Sequence, residues 1–275
     1  MRMKNAFVTY LGNDEYLDGC LVINKNLKDV GAKFPFYVLL GNKVTEKNRN
    51  ILKALNINII ELTKNFEIPK AITDINSANY SNWNYTFEKL FVFDLIEFGK
   101  IVFIDSDMLI RRNIDELFNE DSLSAVCAGN KFPGNESWKG LNSGLMVITP
   151  KAGMSSQIME SYMEQMPTID HPIGDQDLIK NYYSNWDSQE NLKLHDKYNI
   201  LIGYIDFYCR NIVKFDDISI IHYVGPRKPW NMNFRQIVKR YIRFLICRNV
   251  FEFKAFSIYR RELRYARKEI KYAKN

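Results

Sequence analysis

The feature that most constrains the fold is an alternation of two kinds of apolar pattern at the start of the chain. "NAFVTYLG", "PFYVLLG" and "INIIEL" are short runs rich in β-branched and aromatic residues, each with the signature of a strand. Between the first two, Tyr16, Cys20, Ile23, Leu27 and Val30 recur at spacings of 4, 3, 4 and 3, which lines them along one face of a helix. A second helix is expected over Asn48–Leu55. Strand, helix, strand, helix, strand with short connections implies a parallel sheet with right-handed crossovers, an architecture common among nucleotide-binding proteins.

Farther along, a polar stretch spans Ile72–Asn84, and "YTFEKLFVFDLIEFG" reads as a helix ending at Gly99 that feeds the strand "KIVFIDSD". "NIDELF" reads as a short helix with Asn113 as N-cap and Glu116 three residues on. "LSAVCAG" and "GLMVITP" are expected strands, the second stopped by Pro150. Helices are expected over 151–166 and 175–183, and "ISIIHYVG" is a last strand. No repeat or low-complexity linker interrupts this pattern, so one α/β domain is expected through about Asn231, followed by a helical appendage.

A hydrophobic fraction of 46%, with 18 Phe and 16 Tyr, suffices for a large core without a structural metal or disulfide. Cys20, Cys127, Cys209 and Cys247 lie far apart with no CxxC pair, so buried thiols in a reducing compartment are expected. The start "MRMKNAFVTY" lacks the apolar core of a signal peptide, and no 18-residue apolar run occurs. A cytoplasmic protein is the expectation, and the sequons at Asn79, Asn84 and Asn135 then read as chance matches in an Asn-rich chain.

The stretch "IVFIDSDMLI" carries the chemistry. A buried strand ends by presenting Asp105 and Asp107 together, and such like charges are costly to desolvate without a compensating cation. His222 closes the apolar run "ISII" in the same manner. In an open α/β sheet, ligands gather at the carboxyl ends of strands, where these residues are expected. Two carboxylates and an imidazole form a hard ligand set that suits Mn²⁺, accommodates Mg²⁺ and argues against a closed structural zinc site. From the residues alone, a strand-terminating turn at "DSD" and a hydrogen-bonded core histidine at His222 stay open as rival readings.

"AFVTYLGNDEY", "KIVFIDSDMLIRRNIDELF", "LNSGLMVI", "GDQDLI" and "HYVGPRKPWN", in that order and at these spacings, resemble family 8 of the retaining glycosyltransferases, which includes the glycogenins and bacterial lipopolysaccharide transferases. The resemblance covers residues 5–232. It implies a single GT-A type, Rossmann-like nucleotide-binding domain over residues 1–232, with a mixed, mainly parallel sheet. The implied metal ligands are Asp105, Asp107 and His222. Thr9, Tyr10, Asn13 and Tyr16 would hold the uracil and ribose of a UDP-sugar, with Ser106 beside them. Lys228 would reach the donor's phosphates, with Gly225 permitting close backbone approach. Contacts to the donor hexose would fall on Lys89, Asn142, Ser143, Asp175 and Gln176.

These roles are chemically coherent. Breaking a nucleotide-sugar bond builds charge on the departing diphosphate, so a divalent ion and a lysine there stabilise the transition state more than the ground state. Asp175 and Gln176, at a helix start, would lie beside the anomeric carbon. Front-face attack, with a phosphate oxygen of the leaving group taking the acceptor's proton, is the favoured course over a covalent intermediate on Asp175. Each residue also has a plainer reading: Lys89 as an exposed head on an amphipathic helix, "GDQD" as a helix cap, "GPRKPW" as a surface loop, Tyr10 and Tyr16 as core aromatics. Two departures stand out. Pro172 occupies the place of a glycogenin aspartate, so glucose is not implied, and the self-glucosylated tyrosine of glycogenin would fall near Asp206, flanked by Tyr204 and Tyr208.

The net charge of +6 is uneven: residues 233–275 hold 13 Lys/Arg against 3 Asp/Glu. Arg235, Lys239, Arg240, Arg243, Arg248 and Lys254 interleave with apolar residues, and Tyr259, Leu263, Ala266, Ile270 and Ala273 form a heptad-like stripe. A basic amphipathic helix suits an anionic membrane surface, which would place the protein on the inner face of the cell membrane. The resemblance to bacterial members of the family that extend lipid-linked saccharides and carry comparable basic, aromatic C-termini implies a lipid-linked saccharide acceptor. A helix packed on the domain is the other reading. No nucleic-acid partner is expected, since no recognised binding motif accompanies the charge. The functional expectation is a metal-dependent hexosyltransferase acting on a bacterial surface glycan or its precursor. A self-glucosylating primer and an inactive sugar-nucleotide or membrane-binding module are the alternatives.

Overall fold

The computed structural model describes residues 4–62, 67–77, 86–165 and 171–273. Its opening follows the expected alternation: β1 (Lys4–Asn13), α1 (Leu17–Asp29), β2 (Phe36–Lys43), α2 (Glu46–Ala54) and β3 (Asn58–Glu61). The three strands pair in parallel, Val8 opposite Tyr37 and Val38 opposite Ile59. After α3 (Lys70–Ser77), β4 (Phe98–Ile104) joins the other side of β1, again in parallel, with Phe7 opposite Val102. The strand order thus reverses at β1, which opens a crevice at the carboxyl ends of β1 and β4.

The remaining elements in chain order are β5 (Met108–Ile110), β6 (Ser124–Ala125), β7 (Leu145–Ile148), α4 (Met154–Gln165), α5 (Asp175–Tyr182), β8 (Ile200–Leu201), α6 (Ile205–Asn211), β9 (Ile220–His222), α7 (Phe234–Ile246) and α8 (Val250–Ala273). The main sheet has the order β3-β2-β1-β4-β7-β6 and is mainly parallel, with β7 running antiparallel to its neighbours β4 and β6. A small second sheet, β5-β9-β8, branches from the end of β4. Alternation along the strands feeds two cores: Phe7, Leu40, Val102 and Ile104 on the α1 and α8 side, Val8, Leu39, Ile101 and Phe103 on the α4 and α5 side.

Several elements differ from expectation. The expected helix ending at Gly99 is a 3₁₀ segment, Phe87–Asp94, and Gly99 lies inside β4. The tighter helix puts Phe87, Leu90 and Phe93 at its own period of three, and all are buried. Part of the polar stretch is helical as α3, while Asn79 and Asn84 lie outside the described residues, as does Asp170 near Pro172. "NIDELF" forms a 3₁₀ turn over Asp115–Asn119; Asn113 Oδ1 accepts from Asp115 N, and Glu116 accepts from Tyr198 OH instead of closing a capping box. Of the cysteines, Cys20 and Cys127 are buried, but Cys209 is half-buried and Cys247 is exposed after α7.

The C-terminal helices behave differently from one another. In α8 the stripe Tyr259, Leu263 and Ala266, with Ala255 and Phe256, is almost fully buried and continues the core against α1. Ion pairs flank this contact, Lys25 Nζ to Glu262 Oε2 at 2.9 Å and a bidentate pair from Arg267 to Asp18. The α8 stripe is therefore covered by the protein and does not face a bilayer. In α7, closed at its start by a reciprocal Asn233–Gln236 capping box, Phe234, Val238, Ile242, Leu245 and Ile246 are exposed.

Leu263→Ala is expected to destabilise the protein by about 2–5 kcal/mol, whereas Leu245→Ala changes stability by less than about 0.5 kcal/mol, as read from urea unfolding.

Candidate active site

β4 is fully buried from Ile101 to Ile104, and Asp105 is the first residue past its end. Its backbone N–H donates to Gly144 O (2.7 Å), and Met108 N donates back to Asp105 O (3.1 Å), so the chain turns a corner and enters the small sheet as β5. There Met108 lies opposite His222, and Tyr223 N donates to Asp107 O (2.9 Å). The corner between two sheets is thus what delivers the end of β9 to the paired aspartates.

Ligand atoms of Asp105, Asp107 and His222 all lie within 4.8 Å of one another, the one such cluster of three His, Cys, Asp or Glu side chains among the described residues. His222 Nε2 is 3.1 Å from Asp107 Oδ1 and 4.0 Å from Asp105 Oδ2. Lys228 Nζ sits 2.5 Å from Asp107 Oδ2 and donates to Tyr223 O at 3.0 Å. Burial by itself raises the Asp107 carboxyl, but His222 and Lys228 hold it well below the usual carboxylate range. The Asp105 carboxyl moves the other way: burial raises it, and Lys89 offsets that only in part. Two carboxylate oxygens and one imidazole nitrogen, with no thiolate nearby in the cluster, fit a Mn²⁺ or Mg²⁺ ion and leave further coordination positions open.

Lys89 is buried, not projected into solvent. Its Nζ lies 2.9 Å from both Asp105 Oδ1 and Asp175 Oδ2 and 3.2 Å from Ser143 Oγ. Burial lowers its basicity, but the two carboxylates outweigh that and raise it. Asp175 opens α5, accepts from Ser143 Oγ (2.7 Å) and is further held where its N–H donates to Thr86 Oγ1 (3.3 Å). Gln176 Oε1 accepts from Asn142 Nδ2 and Ser143 N, each at 3.1 Å.

A cleft over this cluster is lined by Tyr10, Asn13, Tyr16, Lys89, Asp105, Ser106, Asp107 and Asp175 from the expected set, and by Gly12, Glu15 and Thr86, which sequence reasoning missed. Tyr10 OH donates to Glu88 Oε2 (2.6 Å), while Asn13 Oδ1 accepts from Glu15 N (2.9 Å). The Tyr16 phenol is pushed up to about 12 by burial and by the charges of Asp107 and Asp105. Its ring meets Trp230 edge-on at 5.8 Å, and Trp230 in turn stacks on Tyr259 of α8 and donates its Nε1 hydrogen to Glu15 O (2.7 Å). Thr9 is fully buried within β1 and does not line the cleft; its Oγ1 has no hydrogen-bond partner among the described residues. Gly225 takes φ +100° in the loop before Lys228, a conformation that favours glycine. Asn199, a further residue without a motif of its own, bridges His222 Nδ1 (3.1 Å) and Asn142 Oδ1 (2.8 Å).

Two glycines admit this packing. A Cβ on Gly144 would lie 2.5 Å from His222 Cε1, and one on Gly19 would lie 1.9 Å from Ser106 O, so α1 meets the Asp105–Asp107 loop backbone to backbone. Near Asp206, where a self-modified tyrosine would fall, the carboxylate instead accepts from Phe251 N (3.2 Å) and Glu252 N (2.9 Å), capping α8.

Comparison with known proteins identifies the family and the fold. The model of glycosyl transferase family 8 matches residues 7–233, and the chain belongs to that family. It is 27% identical over 240 residues to glycogenin-1 of Caenorhabditis elegans, covering 83% of this chain and 51% of the relative. To inositol phosphorylceramide glucuronosyltransferase 1 of Arabidopsis thaliana it is 26% identical over 256 residues, covering 86% and 44%. The chain thus spans about half the length of these curated relatives. The crystal structure of the galactosyltransferase LgtC with donor and acceptor sugar analogues superposes with a TM-score of 0.59 at 17% identity, covering 84% of this chain and 91% of that one. GlyE of Streptococcus pneumoniae gives 0.56 at 18% identity, covering 98% and 64%. The shared fold is the GT-A type.

Gly144→Ala is expected to displace the His222 ring and weaken Mn²⁺ binding by about 10-fold or more, measured by electron paramagnetic resonance titration, with the fold retained by circular dichroism.

Proposed function

We propose that the chain is a divalent-metal-dependent, retaining hexosyltransferase that takes its sugar from a UDP-hexose and transfers it to a glycan or lipid-linked saccharide of a bacterial surface polymer. The observation that carries this reading is the convergence of Asp105, Asp107 and His222 beneath a cleft whose wall is built by Tyr10, Asn13 and Tyr16. A bound Mn²⁺ or Mg²⁺ would be held by those three side chains and would neutralise charge on a departing diphosphate. Lys228, paired with Asp107, would supply a second positive charge to phosphate oxygens, and Tyr16 would offer an aromatic wall to the nucleotide.

The sugar end is served by Lys89, Asn142, Ser143, Asp175 and Gln176. The Asp175 carboxylate is ion-paired with Lys89, a partner it shares with Asp105, and accepts a hydrogen bond from Ser143, which ties up its lone pairs and makes it a poor nucleophile. Its negative charge remains suited to steadying an oxocarbenium-like centre, so attack from the donor's own face fits the site better than a covalent intermediate. The capping role of Asp206 weighs against the primer reading.

The exposed stripe of α7, flanked by Arg235, Lys239 and Arg243, supports contact with an anionic membrane surface. Among the described residues, no helix is long and apolar enough to cross a membrane. Since α8 belongs to the core, point changes in α7 test this contact better than removal of residues 233–275.

Wild-type protein is expected to release UDP from at least one member of a UDP-hexose panel with Mn²⁺ and to lose that turnover with a chelator. Asp107→Ala lowers kcat/KM more than about 100-fold, about 3 kcal/mol of transition-state stabilisation. Tight UDP binding without turnover on any donor would replace the enzyme by a binding module. In liposome sedimentation, Leu245→Glu combined with Ile246→Glu is expected to release the protein from vesicles containing anionic lipid; equal binding by variant and wild type would remove the membrane contact.

A further inference from the structure

Asn199 lies just before β8, is 1% exposed, and joins the two halves of the site without lining the cleft. The direction of every hydrogen bond it makes is fixed by groups that have no alternative. The peptide N–H of Gly144 donates to Asn142 Oδ1 (3.1 Å), and that of Ser143 donates to Gln176 Oε1 (3.1 Å). A peptide N–H only donates, so both of those atoms are amide oxygens. Asn142 therefore turns its Nδ2 to Gln176 (3.1 Å) and its Oδ1 to Asn199, and Asn199 answers with its own Nδ2 (2.8 Å). The Oδ1 of Asn199 is then left facing His222 Nδ1 at 3.1 Å. An amide oxygen only accepts, so Nδ1 carries a proton. The other ring nitrogen, Nε2, is the one aimed at Asp107.

We infer that Asn199 is a positioning residue: it holds His222 with Nδ1 protonated and Nε2 turned to the metal position, and it ties that ring through Asn142 to Gln176. The inference rests on the metal-dependent reading above. Two backbone donors on the "NSG" turn thus set the ring state of a histidine remote in sequence. A hydrogen bond from the rear nitrogen of a metal-ligating imidazole orients the ring and raises its basicity as a ligand. Asn suits this place because it accepts from His222 while donating to Asn142. Asp would keep the first bond and lose the second; Ala would lose both.

The test compares wild type, Asn199→Ala and Asn199→Asp in the full chain. One readout is nitrogen NMR of the metal-free protein labelled at histidine, with His222 assigned by its loss in His222→Gln among the three histidines. The other is Mn²⁺ affinity in the presence of UDP. Expected are a protonated Nδ1 in wild type and Asn199→Asp, its loss in Asn199→Ala, and a fall of about 10–100-fold in Mn²⁺ affinity for Asn199→Ala that Asn199→Asp largely restores. Asn199→Ala that melts lower yet binds Mn²⁺ as tightly as wild type would show a purely structural role and overturn the inference, as would an unprotonated Nδ1 in wild type. Wild-type protein that binds no Mn²⁺ would overturn the metal reading itself, and this inference with it, a result distinct from unchanged affinity in the variant.

Discussion

Three buried or half-buried carboxylates stand within reach of one another at the end of β4, and that charge cannot be kept from water without cations placed to match it. The chain supplies them itself. Lys89 spans Asp105 and Asp175, while Lys228 pairs with Asp107, whose other oxygen faces His222 Nε2. Much of the architecture follows from bringing these partners together. The 3₁₀ segment carries Lys89 inward, α5 starts at Asp175, β9 ends at His222, and the loop after it returns Lys228 to the same point. The glycine contacts at Gly19 and Gly144 let the backbones that hold these groups approach closely enough.

The support of this centre reaches to the last helix. Tyr259 of α8 stacks on Trp230, Trp230 meets Tyr16 at the cleft, and Tyr223 OH donates to Ala255 O at 2.7 Å. A helix that sequence reasoning set apart as an appendage therefore props the wall of the cleft. The neighbouring α7 shares its basic composition but leaves its apolar side uncovered, so the charge of the tail serves two different surroundings.

What was legible in the sequence was local or periodic. The alternation over β1, α1, β2, α2 and β3 is written in side-chain spacing, and strands that stop at "DSD" and at His222 mark two ends that meet, although they belong to different sheets, which the pattern did not show. The 3₁₀ segment was misread because Phe87, Leu90 and Phe93 satisfy a helical stripe nearly as well as a period of three. Short strands such as β6 and β8 owe their existence to pairing with distant partners, which no local propensity announces. The stripe of α8 was visible, but an apolar face does not say what covers it. Thr86 and Asn199 left no mark at all, because a single polar residue acquires its part only when tertiary structure places it. Asp206 likewise shows its capping role only once α8 is docked.

The small sheet has a consequence for the order in which the protein is made. β5 emerges directly after the aspartates, yet its partner β9, and the histidine at its end, come from the far end of the domain, and the α8 residues that brace them come later still. During synthesis Asp105 can meet Lys89 early, but Asp107 must wait for His222 and Lys228 until the chain has emerged past β9. A chain broken off before β9 would hold the Rossmann-like half but lack His222, Lys228 and the α8 side chains packed behind them.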